Sequence, residues 1–202
     1  MQSNGLTAWE LFCRRGDRWL FGSLDLWVER GGALHLVGPN GIGKSSLIRM
    51  LAGLLRPSAT GLPPPAGAFG VVHWQGDVAL MDERPALDEQ KPLGKALAFW
   101  SRIDGLQACD LARVGLDRLE DVPVRYLSTG QRKRAAFARL LGQGAPNWLL
   151  DEPLNGLDDD GVQVVEQLIA EHRAKGGLVV VASHQPIALD DRQIIDLRDH
   201  PA

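Results

Sequence analysis

Residues 38–45 have the types and spacing of a phosphate-binding loop. Gly38-Pro39-Asn40-Gly41-Ile42-Gly43-Lys44-Ser45 fits the pattern G-x-x-x-x-G-K-[ST]. Glycines let backbone N–H groups turn inward around phosphate oxygens, and a helix that follows adds the partial positive charge of its N-terminus. Lys44 is expected to reach the β and γ phosphates, the Ser45 hydroxyl to ligate Mg²⁺, and Ser46 to complete the nucleotide contacts. A glycine-rich turn with a solvated lysine is the alternative.

Two acidic residues, Asp151 and Glu152, follow the apolar run at 147–150, which is typical of a buried strand. Ligands of open α/β sheets bind at the carboxyl ends of the strands, so these acids are expected beside the phosphate loop. We expect Asp151 to hold Mg²⁺ through its water shell, and Glu152 to orient or deprotonate an attacking water. A strand end with two solvated acids is the alternative that the acids alone favour.

Two further polar residues close predicted strands. His184 follows the strand at 178–183, and its imidazole is expected to bond a γ-phosphate oxygen. Gln75 follows the strand at 68–74 and is expected to contact Mg²⁺ or the attacking water. The other histidines have no comparable neighbours and are expected to be structural; they are His35, His73, His172 and His200.

These residues need a frame that brings them together, and the sequence predicts an α/β one. Apolar and polar residues alternate before Gly31-Gly32, as at Leu24, Leu26 and Val28, which predicts antiparallel strands. The segments that follow are a buried strand at 33–37, a helix at 44–55, a proline- and glycine-rich loop at 57–67, a strand at 68–74, a mainly helical block at 93–141 broken near 104 and at 121–123, a strand at 147–150, a helix around 162–169 and a strand at 178–183. Strands that alternate with helices predict a layered core with a mostly parallel sheet.

Composition limits the class of protein further. The 202 residues carry a net charge of -3 and are 45% hydrophobic, which excludes global disorder and predicts one domain with a real core. The near-neutral charge provides no basic field for nucleic acid. No apolar run approaches the ~20 residues of a spanning helix, and the N-terminus lacks a secretory pattern, so we expect a cytoplasmic chain. Cys13 and Cys109 are expected to be reduced, packed thiols.

A second set of motifs makes the pattern more specific. Leu127-Ser128-Thr129-Gly130-Gln131 precedes a basic helix, and Asn155-Gly156-Leu157-Asp158 follows the acidic pair. With the phosphate loop, Gln75 and His184, this order resembles the ABC ATPase family along nearly the full length. The resemblance implies an ABC-type P-loop NTPase fold in a single domain. Its parts would be a RecA-like core and antiparallel β subdomain, at about 1–75 and 142–202, and a helical subdomain at about 76–141.

The family resemblance also implies an assembly. Two chains would form a head-to-tail dimer around two ATP molecules with Mg²⁺, each ATP held by the phosphate loop of one chain and by Ser128, Gly130 and Gln131 of the other. Asp158 would couple the two sites. In place of the family's usual aromatic residue, Arg15 or Trp19 would stack on adenine.

A narrower resemblance is to the ATP-binding subunits of bacterial haem exporters that serve cytochrome c maturation. It depends on the short chain and on the segments 120–124 and 183–186. It implies integral membrane partner subunits and a place at the cytoplasmic face of the inner membrane. The alternatives are the ATPase of another small-molecule or lipid exporter, a soluble ABC ATPase acting on nucleic acid or protein assembly, and an inactive nucleotide sensor. We expect the basic run at 132–134 to be a solvated helix face that does not contact nucleic acid.

Overall fold

The computed structural model describes residues 4–59, 70–82, 85–106 and 110–201. In chain order the strands are β1 (Asn4–Arg15), β2 (Arg18–Glu29), β3 (Ala33–Val37), β4 (Val71–Trp74), β5 (Val78–Met81), β6 (Asn147–Asp151), β7 (Leu178–Ala182) and β8 (Arg192–Asp196). The α-helices are α1 (Lys44–Leu51), α2 (Leu93–Asp104), α3 (Thr129–Gly142) and α4 (Asp159–Ala174), and short 3₁₀ turns cover Leu111–Val114, Asp117–Leu119, Val124–Tyr126 and Leu197–Asp199.

The strands form two separate sheets. One is antiparallel with the order β2-β1-β4, and the other is parallel with the order β5-β6-β7-β3-β8. In β2 the residues Leu24, Leu26 and Val28 are buried while their neighbours are exposed, which is the predicted alternation of a sheet with one face on the core. The predicted fold class, an α/β chain with a parallel sheet and a separate antiparallel sheet, is confirmed.

The parallel sheet is covered on both faces, so its central strands are apolar throughout. In β6, Trp148 and Leu150 face a core built with α2, α3 and α4, whereas Leu149 faces a second core. That second core contains the buried residues of α1 and the inner face of the antiparallel sheet. Because both faces are buried, polar side chains are most easily accommodated at the two ends of the strands.

The helical block begins and ends at recognisable signals. α2 follows Pro92 and ends at Gly105, whose φ of 69° lies in the left-handed region that closes helices. α3 begins with a capping box, in which the Ser128 hydroxyl and the Gln131 side chain each bond the other's backbone N–H. No helix in the described part of the chain has the length and apolarity that a membrane crossing requires.

The structure corrects the predicted elements in three places. The predicted strand at 68–74 is β4, which pairs with β1 in the antiparallel sheet. Two short strands of the parallel sheet, β5 and β8, were not predicted. Helix α1 ends at Leu51 instead of Leu55. Most of the predicted loop at 57–67, and Cys109, lie outside the described residues.

Candidate functional site

The phosphate loop joins β3 to α1, as predicted, and its backbone needs glycine. Gly38 has φ 128° and Gly43 has φ 124°, conformations that L side chains rarely adopt. A Cβ on Gly43 would also lie 3.0 Å from the ring of Phe21 and 3.2 Å from Leu20 Cβ, because the loop passes directly under β2. The loop shape therefore depends on these glycines and on the antiparallel sheet above it.

Positive charge is concentrated at this loop. Lys44 is 6% exposed, and its Nζ donates to the carbonyl oxygens of Gly38 at 2.7 Å and Pro39 at 3.3 Å. Gly43 caps α1 without a side-chain hydrogen bond, so no side chain of the capping residue covers the first N–H groups of the helix. An ammonium group and a helix N-terminus together favour a bound phosphate.

Ser45 and Asp151 meet across 106 residues of sequence. The Ser45 hydroxyl donates to Asp151 Oδ1 at 3.1 Å, and Asp151 is only 2% exposed. A hydroxyl and a carboxylate oxygen beside a phosphate-binding loop are the oxygen donors that Mg²⁺ prefers when it also binds phosphate. These two residues therefore fit the divalent cation that the sequence implies.

Glu152 is held in an unusual conformation next to His184. Its φ is 48°, in the left-handed region, and its N–H donates to the Ala182 carbonyl at 2.8 Å. Glu152 Oε2 lies 2.9 Å from His184 Nδ1. The strand pairing of β6 with β7 brings the two residues to the same end of the sheet, so the predicted neighbourhood of the acid and the histidine is observed.

One cleft of about 320 Å³ brings phosphate-loop residues together with Glu152 and His184. Its lining consists of loop residues, the acid and the histidine, with two additions that sequence reasoning did not assign to it, Leu20 and Asn155; the full set is Leu20, Asn40, Gly41, Gly43, Lys44, Ser45, Ser46, Glu152, Asn155 and His184. Asn155 is held there by the Gln185 side chain, whose Nε2 donates to Asn155 Oδ1 at 3.2 Å. The cleft combines a phosphate cradle with a carboxylate and an imidazole.

Gln75 lies at the wrong end of the sheet for its predicted role. It follows β4 of the antiparallel sheet, and its carbonyl accepts from Asn147 Nδ2 at 3.0 Å. Asn147 is the first residue of β6 and Asp151 is the last, which separates them by roughly 13 Å at ~3.3 Å per residue. The prediction that Gln75 contacts Mg²⁺ or the attacking water is therefore wrong.

The Ser128 motif lies away from the cleft of its own chain. None of the cleft-lining residues comes from 128–131. Gly130 packs so closely on the turn after β6 that a Cβ would lie 3.0 Å from the Gly156 carbonyl oxygen. Asp158 closes that turn and caps α4, its Oδ1 accepting from Gly161 N–H at 2.9 Å. The two motifs thus contact each other on a surface separate from the phosphate loop.

The hairpin between β1 and β2 places Arg15 and Trp19 differently. Burial raises the pKa of the Cys13 thiol, and a hydrogen bond with Ser46 and the charge of Arg15 oppose that rise. Arg15 itself is exposed and pairs with Arg18 at the end of the hairpin. Trp19 instead packs edge-on against Phe12, with ring centroids 6.4 Å apart.

The basic run at 132–134 is not the solvated face that its charge predicted. Lys133 is 8% exposed, and its Nζ donates to the Glu152 carbonyl at 2.9 Å. Arg134 Nη1 donates to the carbonyls of Val114 and Gly115, each at 3.2 Å. The sequence does contain a signal that Lys133 is buried. Ala136, Phe137 and Leu140 lie three, four and seven residues further along, so Lys133 shares an apolar helix face with them.

Comparison with known proteins agrees with this site. The profile of the ABC transporter family matches residues 21–155. The structure of MJ1267, an ATP-binding cassette of an ABC transporter in its ADP conformation, superposes with a TM-score of 0.70 at 19% identity, over 91% of this chain and 82% of that one. At that identity the superposition shows the shared fold.

Sequence relatives are much more similar. The "Cytochrome c biogenesis ATP-binding export protein CcmA" of Novosphingobium aromaticivorans is 55% identical over 98% of both chains. The protein of the same name from Sphingopyxis alaskensis is 50% identical over 89% of both. The chain therefore belongs to the ABC transporter family and, within it, to the family of the CcmA proteins. It is an ABC-type ATPase with a nucleotide-binding domain.

Proposed function

We propose that the chain is the ATP-binding and ATP-hydrolysing subunit of the exporter that serves cytochrome c biogenesis, with haem as the exported group. The observation that carries the catalytic part is the contact of Glu152 Oε2 with His184 Nδ1 at 2.9 Å, in the cleft that Lys44 and the phosphate loop line. The full-length similarity to CcmA proteins supports the choice of exporter over another small-molecule or lipid exporter.

Each cleft residue has a distinct part in hydrolysis. Lys44 and the amides of the loop hold the β and γ phosphates. Glu152 orients the attacking water and accepts its proton, while His184 holds that carboxylate and bonds the γ-phosphate. Ser45 and Asp151 would hold Mg²⁺, which supplies charge neutralisation on the phosphates when bound.

The site is completed by a second copy of the chain in a head-to-tail dimer. Ser128, Gly130 and Gln131 lie outside the cleft of their own chain, which supports a role toward the nucleotide bound by the partner. The N-terminus of α3, which Ser128 caps, would lie toward that γ-phosphate and favour its negative charge. Asp158, beside this motif, would couple the two sites, and Arg15, exposed at the end of the β1–β2 hairpin, would stack on adenine.

The remaining partners are integral membrane subunits. We assign them to the CcmB and CcmC type, and the chain to the cytoplasmic face of the bacterial inner membrane. In this arrangement the helical part of the predicted segment 76–141, which follows β5, moves against the core that contains the parallel sheet as the dimer closes and opens. No nucleic acid is part of this function.

A complementation experiment tests the proposal. A host deleted for this gene is stained for haem in c-type cytochromes after complementation with wild type, Lys44→Ala or Lys175→Ala. Lys175 is an exposed lysine outside the cleft and provides the matched control. We expect wild type and Lys175→Ala to restore staining and Lys44→Ala to fail. Normal staining in the uncomplemented deletion would reject the role in cytochrome c biogenesis.

A further inference from the structure

Lys133 is a buried cation outside the site that the sequence predicted. It is 8% exposed, although lysine side chains are rarely buried without a specific partner. The other charged side chains that are buried in the described residues are Lys44 and Glu152, which line the ATP cleft, and Asp151, which accepts a hydrogen bond from Ser45 of that lining. The buried charges in the described residues therefore lie at or next to the catalytic site. Lys133 contacts that site from α3, through the main-chain carbonyl of Glu152.

The atom that Lys133 bonds is part of a strained turn. Its Nζ donates to the main-chain carbonyl of Glu152 at 2.9 Å, and Glu152 has a φ of 48°. Such a conformation in a non-glycine residue persists only when its surroundings hold it. The Glu152 N–H is held by the Ala182 carbonyl at 2.8 Å, and the Glu152 carbonyl accepts from Lys133 and, at 3.3 Å, from the Asn155 N–H, so Lys133 makes the shorter of the two bonds on that side of the residue. The direction of the carboxylate toward His184 depends on this backbone.

Lys133 also connects this turn to the helix that carries the Ser128 motif. α3 begins at Thr129 with Ser128 as its cap, and Lys133 lies five residues beyond that cap (133 minus 128), about 7.5 Å along the axis. A displacement of α3 is thereby transmitted to the carbonyl of Glu152 through one hydrogen bond.

We propose that Lys133 is a positioning residue for ATP hydrolysis, which holds the Glu152 turn in its catalytic geometry and ties that turn to α3. The inference rests on the proposed function, because Glu152 is its catalytic target and α3 faces the partner's nucleotide only in the head-to-tail dimer. Lys133 does not line the ATP cleft, so we expect its effect on the rate of hydrolysis and not on the affinity for ATP.

Steady-state ATPase kinetics of the purified chain test this role with three variants. Lys133→Met keeps the length of the side chain but removes the donor, and Lys133→Arg keeps a donor. Arg134→Met is the matched control, since Arg134 is the next residue of α3 and also donates to main-chain carbonyls, but to those of Val114 and Gly115. Melting curves and the stoichiometry of bound ATP establish the folded fraction of each variant.

For Lys133→Met we expect kcat to fall about tenfold per bound ATP while KM changes by less than about twofold. Lys133→Arg is expected to recover most of kcat, and Arg134→Met to retain it. Equal kcat values for Lys133→Met and Arg134→Met, or no recovery with arginine, would overturn the proposal. The variant Glu152→Gln, with and without Lys133→Met, distinguishes a failure of the Lys133 proposal from a failure of the proposed ATP dimer. Dimers of both with Mg-ATP are expected, whereas a monomeric Glu152→Gln would count against the proposed sandwich itself.

Discussion

The two ends of the parallel sheet use similar residues for different purposes. At the carboxyl ends, His184 contacts Glu152 in an open cleft beside the phosphate loop. At the amino ends, His172 stacks on Trp148 with ring centroids 3.8 Å apart, and Asn147 bonds two main-chain carbonyls. Both ends are polar because both faces of the sheet are covered, but only the first gathers groups that suit phosphate chemistry.

Electrostatics separates the two ends as clearly as packing does. Burial lowers the pKa of His172, which favours the neutral ring between Trp148 and the chain at Gly177. Lys44, by contrast, is a buried ammonium at the start of a helix, where a phosphate can pair with it. The end of the sheet at which a polar residue lies therefore decides whether it supports the fold or the reaction.

The largest difference between the two ends is expected for nucleotide affinity. Lys44→Ala removes the cation of the phosphate loop and should raise the Kd for ATP roughly 10- to 100-fold, since hydrogen bonds to charged groups contribute ~1.5–3 kcal/mol. Titration calorimetry with Lys175→Ala as the control measures the change. An unchanged Kd for Lys44→Ala would contradict the role assigned to this lysine.

The next effect is on turnover. His184→Ala should lower kcat on the order of 100-fold, the lower range for a group that assists proton transfer, while leaving the Kd for ATP nearly unchanged. His172→Gln at the opposite end should retain kcat. Equal losses of kcat in His184→Ala and His172→Gln would contradict the functional difference between the two ends of the sheet.

The amino end should respond in stability instead. Asn147→Leu leaves the carbonyls of Gln75 and Asp77 without their amide donor and should lower the free energy of unfolding by ~2 kcal/mol, measured by urea titration. Gln75→Ala keeps the carbonyl that Asn147 bonds, so the expected change is within ~0.5 kcal/mol with normal kcat. A loss of turnover in Gln75→Ala would instead support the predicted contact of Gln75 with Mg²⁺ or the attacking water.

The smallest expected effect is a change in pH dependence. Because the pKa of His172 in the folded chain lies below its ordinary value of 6.5, acidification through that value favours the unfolded chain, which binds the proton more readily. His172→Gln removes this contribution. As the pH falls from 7 to 5, the wild type should lose this contribution. The free energy of unfolding of His172→Gln, measured by urea titration, should therefore rise relative to that of wild type. An unchanged difference across that range would show that His172 does not contribute.

Motifs read along the chain predicted the carboxyl end of the sheet well. The loop at 38–45 and the acids at 151–152 are local patterns, and their contact through Ser45 and Asp151 follows from strand direction alone. Gln75 was misplaced because a strand's sequence does not reveal its sheet. β4 pairs with β1, and the parallel strand β5 is only four residues long. Lys133 was missed because its charge suggested solvent, while its helix face determined burial.

We propose that Glu152 takes part in the hydrolysis of ATP held between two copies of this chain. The most direct test is gel filtration of Glu152→Gln with Mg-ATP, alongside wild type under the same conditions. The variant should lose turnover yet elute as a dimer that depends on ATP, because binding persists when hydrolysis is blocked. A variant that hydrolyses ATP normally, or that remains a monomer at saturating Mg-ATP, would contradict the account.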